Sequence, residues 1–94
     1  MINKDEMIKR VAFATNAPRD MVKGIMESLF MNMIEALRKE ETIRFVDFGT
    51  FSTRTRKGRI GVNPRNPSQP INIPDVRVVK FKPSHSLKKI VKNG

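Results

Sequence analysis

The polar and apolar positions of this chain change period near residue 42. In the first half, Met7, Ile8, Val11 and Ala12 recur at the three-to-four spacing of one helix face. Asn3, followed three residues later by Glu6, has the spacing of a capping box and marks where that helix begins. The pattern stops near Thr15-Asn16. Pro18 suits the first turn of a second helix, where its missing N–H would have no partner, and Asp20 adds negative charge at that helix's positive end. From there Met21, Val22, Ile25, Met26, Leu29, Phe30, Met33, Ile34 and Leu37 keep a 3.6-residue rhythm. The stripe is wider than the short first helix can cover, so the remainder is expected to meet a sheet or a second subunit. Its methionines read as flexible core fillers. Gly24, retained inside the stripe despite its propensity cost, fits a close helix crossing.

The second half is extended. Ile43 to Val46 is β-branched or aromatic except at Arg44, Asp47-Phe48-Gly49-Thr50 reads as a turn, and Phe51 to Arg56 alternates. Phe51, Thr53 and Thr55 take one side of that strand; Ser52, Arg54 and Arg56 take the other, so one face packs and the other meets solvent or an anion. Val76 to Lys82 is a third extended run with basic residues threaded between apolar ones. Between these strands, Lys57 to Pro74 is too long for a structureless loop in so small a domain. The pairs Ile60, Val62 and Ile71, Ile73 predict a two-stranded ribbon turning near Arg65 to Gln69, whose edge strands tolerate the prolines. Such a ribbon is marginal alone and is expected to move until it lies against something. After Pro83, the positions Ser84, Leu87, Ile90 and Val91 predict a short closing helix, with Lys88, Lys89 and Lys92 favouring its C-terminal end.

Length and composition narrow what these elements can do. Ninety-four residues make one domain with a thin core. Cysteine is absent, which removes disulfides and thiolate ligands, and a single histidine with few carboxylates argues against a structural metal site. A partner subunit is the remaining support. The apolar stretch Leu29 to Leu37 is interrupted by Asn32 and Glu35 and is too short to cross a bilayer. No signal peptide is read at the start, so the expected location is cytoplasmic, with no membrane partner. Charge is divided unevenly: residues 1–50 hold eight Lys/Arg and eight Asp/Glu, whereas residues 51–94 hold eleven Lys/Arg and one acid, Asp75. Solubility does not require the whole +10 in one half, which points to a polyanion partner.

Catalytic chemistry finds little support. His85 lies beside two serines without a carboxylate to orient it, and Asp47 and Asp75 have no partner evident in the sequence. Gly58 and Gly61 are not followed by the lysine-serine of a phosphate loop. No catalytic residue, cofactor or metal is assigned. For nucleic acid the parts fit. Arg54, Arg56, Lys57, Arg59, Arg65, Arg77, Lys80 and Lys82 are read as anchors for phosphates or groove edges, giving affinity independent of base sequence and weakened by salt. A narrow ribbon fits a duplex groove, and Pro64 near its tip is an apolar wedge able to unstack a base step. The ribbon carries no aromatic platform for single strands. A-form RNA, with its shallow minor groove, is the second reading, and docking of an acidic protein the third.

Three motifs stand in order along the chain: Phe48-Gly49-Thr50-Phe51, Arg59-Ile60-Gly61-Val62-Asn63-Pro64, and Val79-Lys80-Phe81-Lys82-Pro83 followed by Leu87-Lys88. On these the chain resembles the bacterial histone-like family that contains HU and integration host factor. The resemblance implies an α+β fold: an intertwined dimer with a two-helix base, a three-stranded antiparallel sheet, an extended β-ribbon arm and a short C-terminal helix. The segments would be a dimerisation region (1–41), a β-saddle (42–83) with its arm (57–74), and the C-terminal helix (84–94). It implies minor-groove binding to double-stranded DNA with intercalation of Pro64 beside Asn63, and bending with low or modest sequence preference, the alternative being a site-specific bending factor of the integration host factor type. Assembly with itself or a close paralogue would use Ile25, Leu29, Phe30, Met33, Ile34 and Leu37 together with Phe45, Phe48, Phe51 and Phe81. Nucleoid association follows from the same resemblance. The chain departs from the family pattern in three places: Val62 replaces an arginine, Asn66-Pro67-Ser68 replaces a threonine-glycine tip, and Asp47 stands where glycine is common.

Overall fold

The computed structural model describes every residue except 64, and the backbone alone of residues 62, 63 and 67. The chain divides into two compact units, Met1–Ala36 and Leu37–Gly94. The wedge assigned to Pro64 lies outside the described residues.

The first unit is helical. Helix α1 spans Lys4–Thr15, and the Asn3 side chain accepts from the Glu6 N–H at 2.9 Å, which forms the Asn3 half of the expected box, while the Glu6 carboxylate accepts from Arg10 Nε at 3.3 Å. At the other end Asn16 takes the left-handed conformation (φ 53°), while the N–H groups of Asn16 and Ala17 return to the carbonyls of Phe13 and Ala12. That closure satisfies carbonyls the helix leaves open and fixes its stop at Thr15. Helix α2 spans Arg19–Arg38 and begins one residue after Pro18, whose carbonyl accepts from Val22 N–H at 3.1 Å. Pro18 therefore precedes the first turn instead of occupying it. Ile8, Ala12 and Val22 are buried, with Val11, Ala17 and Met26 packed against them.

Much of the α2 stripe is exposed among the described residues. Ile25 is 64% exposed and Ile34 53%, and Leu29 and Phe30 are also exposed, while Met33 and Leu37 are half-buried. Among the described residues the close crossing suggested by Gly24 is not met: a Cβ there would find nothing within 4 Å.

The second unit carries the strands. β1 (Ile43–Phe45), β2 (Gly49–Arg56) and β5 (Val76–Pro83) form an antiparallel sheet in the order β1-β2-β5. β3 (Arg59–Asn63) and β4 (Asn66–Ile73) form a separate two-stranded ribbon. The β1–β2 reversal is tighter than expected, because β2 already begins at Gly49; Phe48 N–H bonds the Phe45 carbonyl at 3.0 Å, and Asp47 supplies the left-handed residue (φ 63°). Helix α3 (His85–Asn93) is capped by Ser84, whose hydroxyl accepts from Leu87 N–H at 3.0 Å. Ser84 N–H in turn bonds the Phe48 carbonyl at 2.9 Å, holding the helix start against the β1–β2 turn.

Gly49 is where this packing is least forgiving. A Cβ there would stand 2.5 Å from Cε1 of Phe81 and 2.8 Å from the Lys82 carbonyl oxygen. Phe81 lies between Phe51 and Phe48, with ring centroids at 4.6 and 5.8 Å, so displacing the ring disturbs both contacts, and the Lys82 carbonyl belongs to the strand ladder. Gly49→Ala is expected to lower unfolding free energy by about 2 kcal/mol, read as a reduced urea midpoint at unchanged slope.

Candidate nucleic-acid interface

The strand register sorts the side chains of the three-stranded sheet. In antiparallel pairing, residues opposite one another share a face and alternate residues along a strand lie on opposite faces. Arg44 pairs with Thr50 and Thr50 with Lys82; Ser52 pairs with Lys80, Arg54 with Val78, and Arg56 with Val76. One face therefore gathers Arg44, Arg54, Arg56, Lys80 and Lys82, and its strand positions include no acid. The opposite face carries Ile43, Phe45, Phe51, Thr53, Val79 and Phe81. Phe45 meets Phe51 edge-on at 6.2 Å.

Of the basic residues singled out in sequence, Arg54, Arg56, Lys80 and Lys82 are brought together on one face. Arg44 belongs with them and was missed; in the run Ile43-Arg44-Phe45 it looked like an interruption, although alternation with two apolar neighbours is itself the outward signal. Lys57 sits in the short link into the arm, Arg59 opens β3, and Arg65 is exposed at the reversal. Arg77 is not brought to this face. It pairs with Thr55 on the apolar side, where Nη1 donates to the Arg38 carbonyl at 2.8 Å and Nη2 approaches Glu40 Oε1 at 2.9 Å.

Where the sheet meets α3, Arg44, Thr50, Lys82, Ser84, His85 and Ser86 line a cleft of about 550 Å³ together with Asp47. The helix's first N–H groups and the two cations favour an anion there. Asp47 opposes this with its own charge; its Oδ1 accepts from the Ser86 hydroxyl at 3.3 Å.

The arm is a ribbon with a definite register. Arg59 pairs with Ile73, Ile60 with Asn72, Gly61 with Ile71, and Val62 with Pro70. Asn63 then pairs with Asn66, so the register shifts and residues 67–69 are surplus on β4. The reversal falls between Asn63 and Asn66, ahead of the expected 65–69 turn, and the rest of that span makes the irregularity. At the root, Gly58 N–H donates to Asp75 Oδ1 at 2.6 Å. Gly58 is required here because a Cβ would collide with the Ile73 carbonyl and stand 2.6 Å from the Pro74 carbonyl carbon. Asp75, the one acid among residues 51–94, thus has a structural partner that the sequence did not reveal.

Residues 2–92 match the family model described as bacterial DNA-binding protein. The chain belongs to this family. It is 42% identical over 91 residues to DNA-binding protein HU of Thermotoga maritima, a match covering 97% of this chain and all of that protein. It is 36% identical over 90 residues to integration host factor subunit alpha of Dinoroseobacter shibae, covering 96% of this chain and 84% of that protein. Its fold is similar to that of the protein in the Anabaena HU–DNA cocrystal structure, with TM-score 0.84 and 27% identity over 99% of this chain and 100% of that one. The α+β architecture of two N-terminal helices, sheet, arm and short C-terminal helix is thus that of the HU and integration host factor fold. Membership of a DNA-binding family also sets the functional class, which is binding and not catalysis.

Proposed function

We propose that this HU-family chain is an architectural protein that binds duplex DNA through the minor groove as a dimer and bends or compacts it, with low or modest sequence preference. The observation that carries the proposal is the cation face of Arg44, Arg54, Arg56, Lys80 and Lys82, next to a two-stranded ribbon that Arg59 opens. Evenly spread cations without acids contact phosphates and not bases, so binding follows counterion release. Lys57, Arg59 and Arg65 extend the contact along the arm, with Asn63 at the groove floor and Pro64 entering between base pairs.

Assembly is the second part of the proposal. A 94-residue chain whose buried apolar residues among those described are Ile8, Ala12 and Val22 leaves too little surface removed from water to offset its chain entropy. The apolar positions left for a partner fall in two groups: exposed Ile25, Leu29, Phe30 and Ile34 with half-buried Met33 and Leu37 on α2, and exposed Phe48 and Phe81 with half-buried Phe45 and Phe51 around the sheet. A second copy, or a close paralogue, would cover both. Residues 1–41 then serve dimerisation, 42–83 form the saddle with arm 57–74, and 84–94 close the chain. The corresponding location is the cytoplasmic nucleoid.

The experiment is energy transfer across a doubly end-labelled duplex. Pro64→Ala is expected to straighten the bound DNA while retaining most of the salt-dependent affinity, since the wedge carries no charge. An unchanged bend in Pro64→Ala removes the wedge from the proposal. Stronger competition by duplex RNA than by duplex DNA of equal length would replace the DNA reading with an RNA one.

A further inference from the structure

We propose that Arg77 and Glu40 form a positioning latch that sets the direction of the arm root, and with it the bend imposed on DNA, without contacting DNA themselves. The inference rests on the DNA-bending reading above.

Three observations converge on it. Arg77 lies near the end of the three-stranded sheet from which the arm departs: it pairs with Thr55, and the last pair of the ladder is Arg56 with Val76. From the apolar face its guanidinium makes two contacts, to the Arg38 carbonyl in the last turn of α2 and to the Glu40 carboxylate just beyond. A planar fork held at two points fixes direction in a way that a lysine's single ammonium does not. The third observation is the backbone of Glu40, which sits in the left-handed region at φ 62° while its N–H closes on the Leu37 carbonyl at 3.1 Å. Glycine takes such a helix-ending position without steric cost, and a glutamate there is strained. What the glutamate supplies and glycine does not is the carboxylate that receives Arg77.

Two residues before Arg77, the Asp75 carboxylate holds Gly58 N–H and joins the two strands of the arm at their base. Asp75 thus closes the root on itself, and Arg77 ties the strand leaving it to the end of α2. Direction matters for bending more than for affinity. Phosphate attraction is long-ranged and tolerant of angle, so an arm free to swing still holds the duplex. Levering the duplex requires a root that does not yield. Arg77 and Glu40 are both about half exposed, so the pair itself adds little to stability.

The test compares wild type, Glu40→Gly, Glu40→Gln and Arg77→Ala as full chains. Thermal midpoint, affinity by anisotropy and end-to-end energy transfer at saturating protein are measured for each. Glu40→Gly is expected to melt no lower than wild type, because the strain is relieved, and to bind within about three-fold of it. Its transfer efficiency is expected to fall and its distance distribution to broaden, with Glu40→Gln and Arg77→Ala behaving alike. Wild-type bending in Glu40→Gly and Arg77→Ala overturns the latch while leaving DNA bending intact. A shallower salt dependence in Arg77→Ala overturns it too, since Arg77 would then be a phosphate contact. Straight DNA under the wild type itself removes both the bending function and the latch.

Discussion

Leu29→Glu is expected to leave no folded protein at micromolar concentration, with the helical circular-dichroism signal lost and only monomer in sedimentation. Leu29 is exposed on the wide face of α2, between Ile25 and the half-buried Met33. In the proposed dimer it is covered by the partner, and the substitution replaces a buried apolar side chain with an unpaired carboxylate. Each subunit then loses about 3–5 kcal/mol, and in a symmetric dimer the loss occurs twice. Marginal domains of this size hold only about 5–15 kcal/mol in total. The separated chain has no reserve, because Ile8, Ala12 and Val22 are its buried hydrophobic residues among those described. A well-folded monomeric Leu29→Glu would show that α2 is not the assembly surface. The exposed control Lys23→Glu, on the same helix outside the stripe, is expected to leave assembly unchanged.

The quadruple variant Arg54→Gln, Arg56→Gln, Lys80→Gln and Lys82→Gln should fold as the wild type does and lose DNA affinity by about a thousand-fold or more at physiological salt. These side chains project from one face of the sheet, where substitution costs little packing. Each phosphate contact contributes about 0.9 to the slope of log affinity against log salt. Removing four from each of two subunits therefore flattens that slope by up to about seven. An unchanged slope would place the phosphate contacts elsewhere on the molecule. Restoring Lys80 and Lys82 alone should recover part of the slope and leave stability untouched, which separates electrostatic anchoring from folding.

Much of this arrangement is legible in the residues, and the parts that are not have definite physical reasons. Asn3, Asn16 and Ser84 announce helix ends because capping is local: donor, acceptor and backbone lie within a few positions. The face of β2 is equally plain, since Phe51, Thr53 and Thr55 alternate with Ser52, Arg54 and Arg56. Strand β5 is harder. Its run VRVVKFK has valine on both faces, and only the parity linking Lys80 and Lys82, counted back, puts Arg77 on the other side. The tip register was misjudged because prolines at 64, 67 and 70 mark a turn region without saying where the strands stop pairing. Glu40 was invisible as a helix end, since glycine or asparagine is the ordinary signal there and glutamate is an ordinary helix interior residue. The contacts of Asp75 and Arg77 join residues 17 and 39 positions away, a separation that no local pattern encodes.

The surplus residues 67–69 have a consequence for how such an arm changes over time. They stand beyond Val62 and Pro70, the last pair of the unshifted ladder, so lengthening or shortening the chain there leaves every pair below in phase. A length change inside the ladder would instead turn Arg59 and its neighbours to the wrong side. The fingertip is thus free to diversify in shape and chemistry while the finger keeps its grip, and variants with grafted tips offer a direct way to tune which duplexes are held.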